Sequence, residues 1–237
     1  MRVRIRFTKV GKVRFLGHRD LARIWERTLR RAELSVAYSE GFSPRPKLSF
    51  GLALSTGYES DGEYLDVELA STAEPPQLAA LPGRLSALLP EGIDATAACE
   101  VSRSEPSLQQ AVTSCSWLID VVDVTVAEAT DAVDRALAAT ELMLTRERKG
   151  KQVTDDLRPY LLDLSVTGPT PTGARLLAEL GTQPRTLRPS ELLAALDPPL
   201  DEGLVRRTHQ WTTDDGARRE LIPLDATSAQ HDGERAS

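Results

Sequence analysis

The stretch RVRIRFT, residues 2–8, alternates strictly between polar and apolar side chains. This period of two is typical of a half-buried β-strand. Val3, Ile5 and Phe7 lie on one face of the predicted strand. If helices cover that apolar face, the basic side chains of the strand lie on the opposite, open face; they are Arg2, Arg4 and Arg6.

A helix is predicted over residues 18–33, HRDLARIWERTLRRAE, because its apolar residues recur at helical spacing. Asp20 in the first turn and Arg30 in the last turn suit the helix dipole. Beyond it we predict strands near 34–38, 47–54 and 62–70, a helix within 75–92, and a strand over 93–102. This order, with one extra strand, is that of a βαββαβ ferredoxin-like sandwich with an antiparallel sheet.

The second half of the chain repeats this order of elements without a residue-level repeat. We predict tandem α+β units: a basic ferredoxin-like unit at 1–102, a linker at 103–111, and a second such unit at 112–213. The second unit includes a hairpin and a short helix that Pro189 opens. The remaining residues, 214–237, are polar, and we expect a flexible tail.

The composition limits the class of protein. The chain has 237 residues, of which 41% are hydrophobic and 27% charged, as in ordinary globular domains. Its two cysteines, Cys99 and Cys115, form no CxxC or Cys/His cluster, so we expect no metal site, no cofactor and no disulfide framework. No run approaches 18 apolar residues, so we expect a cytoplasmic protein that does not bind membranes.

The net charge of −6 is unevenly distributed. Residues 1–50 contain 13 Lys and Arg against four Asp and Glu, a balance of +9, so the remainder carries −15. Such asymmetry favours a polyanionic partner for the basic end. The alternative is that the basic N-terminal part docks on the acidic remainder of its own chain.

One face of the predicted helix carries a row of arginines spaced by about one turn. Arg19, Arg23 and Arg27 form this row, with Arg30 or Arg31 continuing it. The row has four arginines but one glutamate, Glu26, available to pair with them. The row is therefore a candidate for phosphate contacts. The alternative is a solvated helix face with intrahelical ion pairs.

The loop within YSEGFSPRPKLSFG, residues 38–51, holds a second candidate contact. Pro44 and Pro46 fix their own backbone angles and keep the preceding residues extended. Arg45 is thereby stiffened and can bind a phosphate with little loss of entropy. Ser43 and Lys47 can add hydrogen-bond donors. Alternatively, Arg45 pairs with Glu40 or Glu59.

Three further residues are weaker candidates. His18 begins the predicted helix and could act as a general base on a ribose hydroxyl, although such a histidine more often makes local hydrogen bonds. Lys149 and Lys151 lie in a basic island of the acidic half and could continue a basic surface.

Residues 13–69, VRFLGHRDLARIWERTLRRAELSVAYSEGFSPRPKLSFGLALSTGYESDGEYLDVEL, closely resemble the radical SAM-linked protein family. RKGKQ, DLRPYLLDL and LRPSELLAAL resemble its second half. The resemblance implies an accessory role beside a radical SAM partner protein, and it implies no reaction. The chain has no CxxxCxxC cluster to hold an iron–sulfur centre itself. A fainter, fold-level likeness is to RAMP-type CRISPR RNA endonucleases.

Three functions follow as hypotheses. The first is a non-catalytic module that binds tRNA or rRNA through a basic surface and works with a radical SAM partner. The second is a metal-independent RNA-processing endonuclease with His18 as its base. The third is an adaptor that binds only the partner protein.

Overall fold

The computed structural model describes residues 1–71, 74–102, 104–148, 150–214 and 216–222. The fold is of the α+β class, and its strand pairs are antiparallel, as predicted. The chain divides into two compact units. The first contains Met1–Val112 and the described residues from Thr212 onwards, and the second is Thr113–Trp211.

The first unit follows the predicted order of strands and helices. Four strands pair in the order β4-β1-β3-β2. A 3-10 turn at Gly11–Phe15 leads into the long helix α1. The elements are β1 Arg2–Lys9, α1 His18–Arg31, β2 Leu48–Phe50, β3 Glu59–Glu68, α2 Leu81–Ser86, β4 Ala95–Val101 and α3 Leu108–Ala111.

The second unit has an equivalent order, with one hairpin inserted. Its four main strands pair in the order β10-β5-β9-β8, while β6 and β7 pair with each other. The elements are β5 Ser114–Val122, α4 Val126–Ala138, β6 Met143–Arg148, β7 Lys151–Asp156, β8 Leu161–Thr170, β9 Gly173–Gly181, α5 Pro189–Ala195 and β10 Asp201–Asp214. Numbered within each unit, both sets of four strands follow the order 4-1-3-2. Their assignment as tandem ferredoxin-like repeats stays a prediction.

The core of the first unit lies between its sheet and α1. Val3, Ile5 and Phe7 are buried on the helix side, as the alternation predicted. Trp25 of α1 is completely buried and meets Phe7 edge to face, with ring centroids 4.9 Å apart. Each fully buried large apolar side chain contributes roughly 1.5–3 kcal/mol to stability. This packing fixes which face of α1 remains outside.

Several predicted boundaries are wrong. The strand near 34–38 is reduced to the isolated bridges Val36–Leu69 and Tyr38–Pro46, and the strand at 47–54 is only the three residues of β2. The helix predicted within 75–92 is only the six residues Leu81–Ser86, with Pro82 in its first turn, where proline is compatible with a helix. The predicted linker at 103–111 contains α3.

The first part of the expected flexible tail contains a strand. Residues Ala217–Glu220 form a strand, β11, that pairs with β10. Leu221 and Ile222 are buried.

Candidate nucleic-acid interface

The exposed face of α1 carries the predicted arginine row. Leu21, Trp25 and Leu29 turn inward, so the residues between them on the opposite side face solvent. Arg23 pairs loosely with Asp20 at 3.6 Å, and both side chains are mostly exposed. Among the described residues, the other members of the row have no carboxylate within ion-pair distance. We call the exposed residues Arg19, Arg23, Arg27 and Arg30 the helix row.

The loop between α1 and β2 is closed at its base by hydrogen bonds. The Ser39 amide donates to the Arg45 carbonyl at 2.9 Å, and the Arg45 amide donates to Ser39 Oγ at 3.0 Å. The Lys47 amide donates to the Ala37 carbonyl at 2.8 Å. Gly41, with a φ of 120°, makes the turn in a region of backbone space that favours glycine. The local backbone is thus held in one shape.

Arg45 is exposed at the end of this closed loop, beside exposed Ser43. Its guanidinium has no hydrogen-bond or ion-pair partner in the part of the chain that the structure describes. Glu59, one of its expected partners, is buried and instead accepts a hydrogen bond from the Gly11 amide at 2.8 Å. Lys47 lies 3.4 Å from Glu68, and both side chains are about half exposed, so this pair holds the lysine only weakly.

Two aromatic side chains of the loop were missed by the sequence reasoning. Phe42 is fully exposed and Tyr38 is half exposed. The signal was available, since Phe42 stands among turn-forming residues with no apolar alternation to bury it. Exposed aromatic rings beside cations are the combination that proteins use to bind unpaired bases.

The helix row and the loop meet at a small cleft of about 160 Å³. Glu26 and Arg30 line it from α1, and Tyr38 and Pro46 line it from the loop. The end of the helix row at Arg30 therefore adjoins the base of the loop at Tyr38 and Pro46. We call the helix row, Tyr38, Phe42, Ser43, Arg45 and Lys47 the basic face.

The third predicted basic element, the arginine row of β1, is not on an open face. Arg4 is only 2% exposed and forms a bidentate pair with Asp66 of β3. Arg2 donates to the carbonyls of Ser102 and Glu105, at 2.7 and 3.1 Å. Arg6 lies 3.7 Å from Glu220 of β11. The expectation failed because acidic and carbonyl groups far along the sequence cover this face.

His18 lies at the mouth of a pocket of about 460 Å³ beneath the first turn of α1. Its exposed ring meets the Phe50 ring edge to face, with centroids 5.1 Å apart. Within the described ranges, no side chain hydrogen-bonds the imidazole, and an orienting partner is what a general base normally has. The catalytic role of His18 stays a prediction.

The whole basic face and the pocket lie within a region that one protein family shares. A family model described as "Uncharacterized protein conserved in bacteria (DUF2344)" matches residues 2–189. The chain belongs to this family. No curated protein matches the chain. The matched range also contains every residue singled out from the sequence, although the family description states no activity and no partner.

The second unit of this DUF2344 chain holds the remaining predicted residues. Lys151 is exposed at the start of β7, whereas Lys149 lies outside the described residues. Near this hairpin, Arg146 and Arg185 share the carboxylates of Asp155 and Glu191. Burial, followed by the nearby Arg146 charge, lowers the pKa of Arg185. These two arginines are held by carboxylates and are poorer phosphate ligands than the helix row.

Two general properties bear on the candidate functions. Within the described residues, no group of three or more His, Cys, Asp or Glu side chains is arranged to hold a metal ion. The helices there are also too short or too polar to cross a membrane.

Proposed function

We propose that this DUF2344 chain is a non-catalytic RNA-binding module that acts beside a radical SAM partner protein. The observation that carries the proposal is the basic face, where the helix row adjoins a closed loop bearing Arg45. Phosphate contacts by lysine and arginine supply most of the sequence-independent affinity for nucleic acid. The described residues leave Arg19, Arg27 and Arg45 without carboxylate partners, so these side chains need not break ion pairs to bind.

The loop favours RNA with unpaired nucleotides over a regular duplex. Phe42 and Tyr38 project beside the cations, and aromatic rings stack on bases that are not already paired. tRNA and rRNA both contain such loops and bulges. The radical SAM partner is proposed from the resemblance of residues 13–69.

A second candidate function is a protein-only adaptor for that partner. Its supporting observation is the same exposed Phe42, because aromatic and arginine side chains are enriched at protein interfaces. The two candidates differ in the force that would hold the complex. Phosphate contacts weaken steeply with salt, whereas a buried aromatic contact does not.

Affinity purification of the full chain from its native cell, at low and then high salt, tests the proposal. We expect tRNA or rRNA fragments to co-purify at low salt and to be released at high salt. Co-purified protein without RNA, resistant to high salt, would contradict RNA binding and favour the adaptor. A variant with Arg27→Gln and Arg45→Gln is the matched control, and we expect it to recover much less RNA.

A further inference from the structure

The side of β2 that faces away from β3 is an open strand edge. The Gly51 amide donates to the Tyr64 carbonyl of β3 at 2.9 Å, so these two residues form a hydrogen-bonded position of the antiparallel ladder. Such positions alternate with ones whose backbone groups point outward. Phe50 and Leu48 therefore direct their backbone groups away from β3.

The backbone groups on this edge are largely unused. Within the described residues, the Phe50 amide, the Phe50 carbonyl and the Leu48 carbonyl have no hydrogen-bond partner. The Leu48 amide is satisfied locally, because it donates to the Pro46 carbonyl at 3.0 Å. An edge with unpaired N–H and C=O groups can pair with a strand of another chain.

The outer strand of the second unit, β8, shows how such an edge is protected. Its pairing with β9 is irregular at two places, and it contains Pro169. Bulges and prolines both hinder the addition of a further strand. β2 has neither, and its only protection is its length of three residues. A strand added there needs side-chain contacts as well as backbone hydrogen bonds.

An apolar groove on the helix side of β2 can supply those contacts. Leu48 and Phe50 lie opposite Val67 and Leu65 of β3, which are buried in the core, so all four side chains face the helix side. We call the pocket of about 460 Å³ beneath the first turn of α1 the β2 groove. Its main apolar lining residues are Leu16, Leu48, Phe50, Leu52 and Leu54.

The charged residues of the β2 groove are satisfied by the chain itself. Lys9 Nζ donates to the carbonyls of Arg14 and Leu16, at 3.2 and 3.1 Å. Glu63 also has an interaction partner within the chain. The features that remain for an occupant are therefore the apolar walls and the backbone edge. An added strand matches both, since its backbone pairs with the edge and its alternate side chains enter pockets.

We propose that β2 binds an extended segment of a partner protein, which adds an antiparallel strand to the sheet of the first unit. The residue of that segment opposite Phe50 exchanges hydrogen bonds with the Phe50 amide and carbonyl. Its side chain, and those two positions away, are apolar and lie in the β2 groove, because directly opposite residues share a face. This inference does not rest on the proposed RNA binding.

The charges near β2 distinguish between sources of the added strand. Lys47 directly precedes β2, and exposed Arg45 lies two residues earlier. A second copy that paired through its own β2 would bring two basic faces together, which like charge disfavours. Residues 223–237 of this chain contain only one large apolar residue, Leu224, so they cannot supply alternate apolar side chains. A partner segment that carries acidic residues fits best.

Fluorescence anisotropy with labelled peptides and the full, ribonuclease-treated chain tests the proposal. The probe is a capped peptide of four Leu–Glu repeats, which is apolar on one face when extended. One control peptide has the same sequence with N-methylated leucine amides, and a second has the same composition with its leucines consecutive. We expect the probe to bind about tenfold more tightly than either control, the effect of losing one or two backbone hydrogen bonds. Equal affinities, or no saturable binding of the probe, would overturn the proposal.

Two variants at Phe50 separate the backbone edge from the ring. Phe50→Ala removes the ring and keeps the amide, so it should bind the probe more weakly but still prefer it to the N-methylated peptide. Phe50→Pro also removes the amide, which proline can replace on an outward-facing edge, and should lose that preference. Retention of the preference by Phe50→Pro would overturn strand addition.

A variant of the β2 groove keeps the test independent of the fold at Phe50. Leu54→Asp places a charge like those of the probe in the groove and should abolish probe binding. Ser55→Asp adds the same charge at the next, exposed residue outside the groove and should keep it. Probe binding by a folded Leu54→Asp variant would overturn the assignment.

Sedimentation velocity distinguishes the partner segment from a second copy of the chain. We expect a monomer that binds the probe. A dimer that Phe50→Pro dissociates would overturn the assignment to a partner protein and favour pairing between two copies. Because these measurements contain no RNA, failure of the proposed RNA binding would leave their outcomes unchanged.

Discussion

Arg4 of β1 and Asp66 of β3 form a buried bidentate ion pair across neighbouring strands. Arg4 Nε lies 2.8 Å from Asp66 Oδ1, and Nη2 lies 3.0 Å from Oδ2. Burial alone would lower the pKa of Arg4, but the hydrogen bonds and charge of Asp66 outweigh it and raise that pKa. The pair is structural, and it removes Arg4 from any surface that contacts RNA.

Breaking this pair should destabilise the first unit without affecting RNA binding. Arg4→Met leaves the buried Asp66 carboxylate with only the longer contact to Arg2 Nε, at 3.8 Å, and removing one partner of a buried pair typically costs about 3–5 kcal/mol. The double variant Arg4→Met/Asp66→Leu should recover most of that loss, because it removes both charges. Urea unfolding measures the effect. A single variant within about 0.5 kcal/mol of wild type, the usual range for surface changes, would contradict the assignment.

Removing charge from the basic face should reduce the salt dependence of RNA binding. Arg27→Gln and Arg45→Gln should each weaken binding several-fold at low salt and lower the slope of log K against log salt by about 0.7, the value for one phosphate on a single strand. Filter binding at several salt concentrations measures the slope. Arg219→Gln removes another exposed charge, which pairs with exposed Asp214, and should change neither quantity.

Loosening the loop should weaken binding at a small cost in stability. Pro44→Ala/Pro46→Ala frees two fixed backbone angles, and each proline restricts the flexible chain by roughly 0.4–1 kcal/mol. We expect a loss of affinity of several-fold, an unchanged salt slope, and a slightly lower unfolding midpoint than that of wild type, because the unfolded chain gains freedom as well. Pro75→Ala, at another exposed proline of the first unit, is the control. Equal affinity of the loop variant and this control would show that stiffness is unimportant.

Acid should destabilise the second unit by weakening the hydrogen bonds that the Asp156 carboxylate accepts. Hydrogen bonds from the Leu142 and Arg158 amides, at 2.8 and 2.9 Å, lower the pKa of Asp156. A group whose pKa is lower in the folded state stabilises the fold above its unfolded pKa of about 4 and loses that contribution as pH falls through the folded value.

Asp156→Asn should therefore flatten the decline in the unfolding midpoint between about pH 5 and pH 2, relative to wild type. Glu128, whose pKa the Thr125 amide and hydroxyl lower at the start of α4, contributes in the same direction and remains in the variant. An identical pH profile for wild type and Asp156→Asn would show that these amide contacts do not persist in solution.

The local elements with strong patterns could be predicted from sequence. The alternation of residues 2–8 and the helical spacing of Leu21, Trp25 and Leu29 identified β1 and α1, because each pattern reports which side chains face the core. The arginine row followed from the same helix, since the residues opposite a buried stripe face solvent. Pro44 and Pro46 likewise indicated a fixed loop beside Arg45.

The rest depended on contacts distant in sequence. Asp66 lies 62 residues from Arg4, and only the β1–β3 register reveals that the two side chains meet. Lys9 and Glu63, 54 positions apart in the sequence, likewise line one pocket, which no local pattern indicates. β7 contains one apolar residue, Val153, and half of its residues are exposed, so it carries no apolar alternation. The exposure of Phe42 follows from no periodic pattern, because a loop has no regular alternation of buried and exposed residues.

The most direct test of RNA binding is a filter-binding titration of the wild-type chain against tRNA and rRNA fragments from low to high salt. The basic face predicts saturable binding at low salt, with log K falling linearly as log salt rises, at a slope of about −2 to −3 if three or four arginines contact phosphates. Absence of binding even at the lowest salt, or affinity that does not change with salt, would contradict the account.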